Sequence, residues 1–266
     1  MTSTIDASEI EFVTSLAQKA GKLLLEYFQN GKLSLRRKQD HTLVTQADLA
    51  ADEYIHTAIQ KNFPNEFILS EELSPIISVT SSKGWIVNPL DGTTNFALGL
   101  HYWGVLINRI ENGMPIFSVQ YFPALDELYQ AQLEEPSKLN QQVIHVEDAT
   151  QDQKISFFSC CSRAHRKYEI NLRYKTRNLG SAAYSLASVA RGAARLAFDA
   201  QAKIWDIAGG WVLVPQAGGV IGSLNNVSPF PVKNDIDYSA QDYAVLAAAS
   251  PLYFQEGLDK IHLKQP

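Results

Sequence analysis

The chain has 266 residues, 45% hydrophobic and 19% charged, with a formal net charge of −5. That composition suits a globular chain able to bury a large core, in one domain or in two closely joined halves. The acidic balance argues against a general nucleic-acid binder, which presents a basic face. No apolar run approaches the ~20 residues that a membrane helix needs.

Residues 8 to 30 carry Ile10, Val13, Ala17, Ala20, Leu24, Tyr27 and Phe28 at three- and four-residue steps, an amphipathic helix with Gly31 as its stop. Residues 1 to 20, with Asp6, Glu9 and Glu11, show helical periodicity rather than an apolar block, so no signal peptide is expected and the cytoplasm is the expected location. A basic stretch with Arg36, Arg37 and Lys38 follows. Thr45-Gln46-Ala47-Asp48 then has capping-box spacing, with Asp in the place of Glu or Gln, and opens a second helix striped by Leu49, Ala51, Tyr54, Ile55, Ala58 and Ile59. Phe67 to Leu69 and Trp85 to Val87 read as strands. Residues 103 to 110 and 114 to 121 flank Asn112-Gly113, a hairpin turn signal, and 127 to 133 adds a further strand.

The polar stretch from Glu134 to Lys154 is the best internal boundary, dividing a single domain into subdomains of roughly 1–137 and 138–266. Beyond it, strands at 155–159, 194–198, 220–223 and 243–247 alternate with helices at 181–191, 205–216 and after Pro251. Alternation of this kind favours layered α/β packing. Cys160 and Cys161 are adjacent, so they point to opposite sides of a strand and are expected to be buried thiols in a reducing compartment.

Trp85 to Phe96 is the most informative segment. A strand runs into Asn88-Pro89-Leu90-Asp91 and then into Gly92-Thr93-Thr94. Oxygen ligands there suit a hard cation such as Mg²⁺, and the N–H groups of a small-residue turn suit phosphate. Other acids also sit at element ends: Glu71 and Glu72 after a strand, Asp48 and Asp206 at helix starts. Each alone has an ordinary explanation as a helix cap or a solvated turn. Their combination with the glycine-threonine turn shifts the balance toward a site.

Several segments together resemble the inositol monophosphatase family of magnesium-dependent, lithium-sensitive phosphomonoesterases. Val44 to Asp48 resembles its helix-start motif, and Ser70-Glu71-Glu72 its Gly-Glu-Glu segment. Trp85 to Phe96 resembles its Trp-Ile-Val-Asp-Pro-Ile-Asp-Gly-Thr-Thr-Asn-Phe signature, with Asn88 for the first Asp and Leu90 for Ile. Gly180 to Ala183 is similar to the substrate-pocket segment, and Trp205 to Gly210 with Gln216 to Gly219 to the C-terminal signature. The resemblance implies an α/β/α/β/α layered sandwich, a homodimer, and two or three Mg²⁺ ions. It assigns Glu71 and the Leu90 carbonyl to a first metal and Asp91 and Asp206 to a second, with position 88 serving both. Thr93, oriented by Asp48, would hold the attacking water, and Glu71 would share in its activation. The turn formed by Gly92, Thr93 and Thr94 would take the phosphate, Ala182 would line the pocket, and Asp199 would contact substrate hydroxyls.

Asn88 departs from that pattern. An Asp offers two anionic oxygens, whereas Asn offers one neutral oxygen and an NH₂ donor that cannot ligate Mg²⁺. At least one metal site is expected to be weakened. A metal-hungry phosphatase, a weakened relative that binds phosphate esters, and an engineered change all stay open.

The leading reading is hydrolysis of a small phosphate monoester, inositol monophosphate first. Fructose 1,6-bisphosphate, histidinol phosphate and nucleotide 3′-phosphates are substrates of related architectures. Asp199 fits a polyol better than a second phosphate, whereas Arg163, Arg166, Lys167, Arg173, Lys175 and Arg177 form a basic cluster read first as solvated surface. The alternative is a non-catalytic phosphate-ester-binding or regulatory protein with a protein partner and no direct nucleic-acid contact.

Overall fold

The first helix, α1 (Ala7–Asn30), buries Val13, Leu16, Ala17, Ala20 and Leu24 along one stripe. The computed structural model describes residues 5–30, 35–37, 43–78, 81–147, 155–225 and 227–264. Gly31, the expected helix stop, and Lys38 lie outside them. A two-stranded antiparallel ribbon of β1 (Leu35–Arg37) and β2 (Leu43–Thr45) leads into α2 (Gln46–Asn62). The expected capping box is present: Thr45 accepts the Asp48 N–H, while Asp48 accepts the Thr45 N–H at 2.8 Å.

The first sheet follows: β3 (Phe67–Ser70), β4 (Lys83–Asp91), then after the short helix α3 (Thr93–Ala97) come β5 (Gly104–Glu111), β6 (Met114–Phe122), β7 (Glu127–Gln132), β8 (Lys138–Leu139) and β9 (Gln142–Val143). These seven strands lie in chain order, with β3 parallel to β4 and all other pairs antiparallel. The turn between β5 and β6 has φ 51° at Asn112 and 77° at Gly113, the two positive values that a tight right-twisted hairpin requires. β8 and β9 fall within the polar 134–154 stretch and extend this sheet; residues 148–154 lie outside the described ones.

The rest of the chain supplies β10 (Phe157–Cys160), α4 (Ala164–Lys167), β11 (Tyr168–Ile170), β12 (Thr176–Arg177), α5 (Ala182–Ala190), β13 (Ala194–Ala202), α6 (Ile204–Ile207), α7 (Gly210–Gln216), β14 (Val220–Ser223), β15 (Tyr243–Ala248), α8 (Pro251–Lys260) and β16 (Ile261–Leu263). The second sheet has the order β12-β10-β13-β15-β14; β11 pairs with β16 apart from it. The helix expected over 205–216 comes as two pieces. Its backbone keeps helical dihedrals through Ala208 (φ −54°) and Gly209 (φ −68°), but the hydrogen-bond ladder is interrupted there. Gly209 lies so close to the first sheet that a Cβ would come within 2.4 Å of Gln120 Nε2 and 2.5 Å of Ser118 Oγ.

Three apolar cores hold five layers together, the central one spanning two interfaces. α1 and α2 cover one face of the first sheet through Leu16, Leu24, Ala51, Ile55, Trp85, Val87, Val105, Ile107 and Val119. Its other face, with Ile86, Leu106 and Phe122, meets α5, α6 and α7 through Leu186, Ile207 and Leu213, and these helices rest on Ala197, Val245 and Ala247 of the second sheet. The far side of that sheet, with Phe158, Leu196, Phe198 and Leu246, packs on Ala164 of α4, Tyr253 of α8 and Ile261 of β16. Alternation along each strand sorts its side chains between these cores. The result is the α/β/α/β/α sandwich.

Candidate active site

A bulge in β4 and plain alternation in β13 aim acids at one cavity. In β4, Asn88 pairs with Leu106 and Asp91 with Gly104, so three steps on β4 match two on β5. Strict alternation would send residues 88 and 91 to opposite faces. The extra residue puts both on the central side, while Leu90 packs into the core under α1 and α2. Pro89 suits the bulge because it has no N–H to donate to the ladder. In β13 Asp199 follows Ala197 to the central side and turns to the same cavity, and the register shifts only beyond it, between Asp199 and Ala202.

That cavity is about 430 Å³ and lies between the first sheet, the start of α5 and the β13–α6 junction. Glu71, Asn88, Leu90, Asp91, Gly92, Thr93, Thr94, Ala182, Asp199 and Asp206 all line it. Asp48 does not line it but reaches it through Thr93, whose hydroxyl lies 3.0 Å from Asp48 Oδ1 and 3.1 Å from the Leu90 carbonyl oxygen. That hydroxyl has one hydrogen for two acceptors, and its own lone pairs remain for an incoming donor. Gly92 precedes α3 with φ 83°, and a Cβ there would sit 2.6 Å from the Tyr102 carbonyl oxygen. Both facts require glycine. The first N–H groups of α3 have no partner within the helix, and Gly92, Thr93 and Thr94 line the cavity.

The acids are held individually. Ser181, the N-cap of α5, donates to Asp91 Oδ2 and accepts the Tyr184 N–H at 3.0 Å. Asp206 Oδ2 accepts the Lys203 N–H at 2.9 Å, and Asp206 Oδ1 accepts the Asn88 Nδ2 hydrogen at 2.8 Å. Asn88 Oδ1 in turn accepts the Leu90 N–H at 3.1 Å. Burial, with the charges of Glu71 and Asp199, pushes the Asp91 carboxyl up to about 7, against the pull of the Ser181 hydroxyl. Burial, then Asp91 and Glu71, raises Asp206 well above the usual carboxylate range. Burial also raises Asp48, opposed by its bonds to Thr45 and Thr93.

Crowded, mutually repelling carboxylates are the chemistry that a hard cation relieves. Glu71, Asp91 and the Leu90 carbonyl therefore suit Mg²⁺. Position 88 does not suit a bridge, because its amide presents N–H to Asp206 and turns its oxygen to the backbone. No trio of His, Cys, Asp or Glu in metal-holding geometry occurs among the described residues.

Ser181 lines the cavity within the 180–183 segment expected there, though without a role assigned, whereas Ser185, Asn178, Gln201 and Lys203 were not singled out by the sequence as site residues. The position of Ser181 before an apolar helix was the available signal for a cap, but its bond to Asp91 spans 90 positions. Of the basic cluster, Arg163 lines the cavity, where burial raises the Asp199 carboxyl and the Gln201 N–H, Cys161 and the Arg163 charge oppose that rise, while Arg166, Lys167, Arg173, Lys175 and Arg177 are exposed surface. The cysteines are free, as expected, but Cys161 is only half-buried and reaches the cavity. Burial pushes its thiol up to about 11 and that of Cys160 up to about 12, which leaves both poor nucleophiles.

A five-layer sandwich with carboxylates and a glycine-threonine turn around one cleft defines a class of phosphate-ester-handling proteins. The model of the inositol monophosphatase family matches residues 6–254, and the chain belongs to that family. It is 30% identical to the Nus factor SuhB of Pasteurella multocida, over 92% of each chain. It is 32% identical to an inositol-1-monophosphatase of Mesorhizobium japonicum, over 81% of this chain and 85% of the other. The crystal structure of the extragenic suppressor protein suhB from Bartonella henselae superposes with a TM-score of 0.81 at 26% identity, covering 96% of this chain and 99% of that one. No described helix is long and apolar enough to cross a membrane.

Proposed function

We propose that this protein is a Mg²⁺-dependent phosphomonoesterase of a small polyol phosphate, with inositol monophosphate the first substrate to test. The carrying observation is the Thr93 hydroxyl, 3.0 Å from Asp48 and beside the Gly92 turn, inside the cavity that holds Asp91 and Asp206. Asp48 takes the Thr93 hydroxyl hydrogen, which frees a Thr93 lone pair to orient a water in line with a phosphate on the turn. The N–H groups from Gly92 to Thr94 receive the phosphate oxygens without reorganising. Asp199, with Ser185 and Asn178 on the same wall, accepts and donates hydrogen bonds to ring hydroxyls, and Ala182 leaves room for the ring. Glu71, Asp91 and the Leu90 carbonyl hold the cation. A bound Mg²⁺ lowers the pKa of a water and neutralises charge on the phosphoryl and leaving oxygens.

The identity to an inositol-1-monophosphatase supports this substrate class. We place the protein in the cytoplasm as a homodimer, following the family. The test is phosphate release from a panel of polyol, sugar and amino-alcohol monophosphates, with and without EDTA, beside Thr93→Ala. Release that needs the metal and Thr93 supports the reading; release unaffected by Thr93→Ala contradicts it.

One observation favours a second reading. The Asn88 amide on Asp206 weakens the metal site, as expected for a phosphate-ester-binding or regulatory protein, and a Nus factor is among the relatives. Partners that co-purify and stay bound after the pocket is blocked would support it.

A further inference from the structure

Two hydrogen bonds fix the Asn88 amide. Nδ2 donates to Asp206 Oδ1 at 2.8 Å, and Oδ1 accepts the Leu90 N–H at 3.1 Å. The orientation follows from Leu90, because a backbone N–H only donates and so holds Oδ1, which leaves Nδ2 for Asp206. Asn88 is 1% exposed and Leu90 1%. Turning the amide over would bury the Leu90 N–H without an acceptor and set the Asn88 oxygen against the carboxylate.

The consequence falls on Asp206. Its Oδ1 faces the positive end of the amide, and its Oδ2 is taken by the Lys203 N–H that starts α6. A cation approaching Asp206 from the Asn88 side meets an N–H₂ group where a bridging carboxylate would offer an oxygen. Asp91 is arranged differently. Beside a backbone hydrogen bond from Ala183, it is held by the Ser181 hydroxyl, which can rotate and accept as well as donate, and it shares the cavity with Glu71 and the Leu90 carbonyl.

We propose that Asn88 seals Asp206 against cations, so that the chain takes a single divalent cation at the Glu71–Asp91 end of the cavity. The amide donor thus does permanently, for Asp206, part of what a second cation would do. Asn88 is here a positioning residue, and the inference rests on the metal-dependent reading given above while naming the ligands that still take a cation.

The test is Mn²⁺ binding to the metal-free full-length protein, by calorimetry and by the electron paramagnetic resonance signal of free Mn²⁺. The native protein is expected to bind one Mn²⁺ per chain, and Asp206→Asn to leave that affinity within about threefold, below the roughly 10–100-fold loss seen when a metal's supporting residue is removed. Asn88→Asp is expected to bind a second Mn²⁺, lost again on adding Asp206→Asn. Two Mn²⁺ per native chain, no Mn²⁺ at all, or loss of the single Mn²⁺ on Asp206→Asn would each overturn the proposal. Should Asn88→Asp fail to fold, the Asp206→Asn comparison in the native background decides. The readout is independent of turnover: a chain that binds one Mn²⁺ but releases no phosphate keeps this inference and loses the phosphatase reading.

Discussion

Asn88 donates to Asp206 across 118 positions of sequence, at 2.8 Å, and so joins the first sheet to the start of α6 through an uncharged amide. This contact ties together two segments that carry family signatures. It also makes one residue decide how much negative charge the pocket presents to a cation. The surrounding machinery, from the Thr45–Asp48 cap to the Gly92 turn, is assembled independently of it.

Thr93→Val removes the hydroxyl while keeping its β-branched shape at the first position of α3. The expected loss is roughly 10²-fold or more in kcat, the range for removing a group that positions or exchanges a proton. Asp48→Asn, which preserves the cap geometry in part, is expected to lower kcat with little change in KM. Steady-state kinetics on folded protein checks both.

Ser181→Ala removes the cap of α5 and the donor to Asp91 together. Loss of the cap alone is expected to cost about 1 kcal/mol, read as a lower urea midpoint at unchanged slope. Metal affinity is expected to fall as well, because Asp91 loses the group that aims it.

Arg109 does not line the cavity; it is buried on β5 beside Trp85. Its guanidinium pairs with Glu66 at 2.6 Å and Glu9 at 2.7 Å and stacks 4.6 Å from the Trp85 ring, with its side chain 5% exposed. Arg109→Leu leaves two carboxylates without their cation, and about 3 kcal/mol of destabilisation is expected. Thermal melts check this, and activity per folded molecule is expected to stay at the native level.

In metal-free protein, stability should fall as pH rises toward neutrality. The Asp91 carboxyl ionises near 3.9 when unfolded and at about 7 when folded. Between those values the folded chain holds a proton that the unfolded chain has released. This stabilisation is complete below the lower value and is lost as pH passes through the upper one. Asp206 is shifted in the same direction. Melts in EDTA across this window should show a falling midpoint, and Asp91→Asn should flatten the slope. A native midpoint that rises steadily with no difference from Asp91→Asn would contradict the assignment.

Features set by neighbouring residues were legible in the sequence. Thr45 and Asp48 are three positions apart, so their capping box could be read directly, as could the Asn112-Gly113 turn and the apolar strands around Trp85. The two bulges were not legible, because an extra residue shows itself only when a strand is laid against its partner. Without the one in β4, alternation gives no reason for Asn88 and Asp91 to face the same way, whereas Asp199 follows Ala197 to the central side by alternation alone. The contacts Ser181–Asp91 and Asn88–Asp206 depend on the docking of the α5–α7 layer onto the first sheet. The break at Ala208 and Gly209 depends on how closely that layer approaches Ser118 and Gln120.

Phosphate release from inositol monophosphate as Mg²⁺ is raised, for the native chain beside Asn88→Asp, tests the phosphatase reading most directly. Mg²⁺-dependent release by the native protein is expected, with half-activation at roughly 10-fold or more lower Mg²⁺ in Asn88→Asp, the scale of a metal-site perturbation. Two folded proteins that bind metal yet release no phosphate from this or any other small monoester at any Mg²⁺ concentration would contradict that reading.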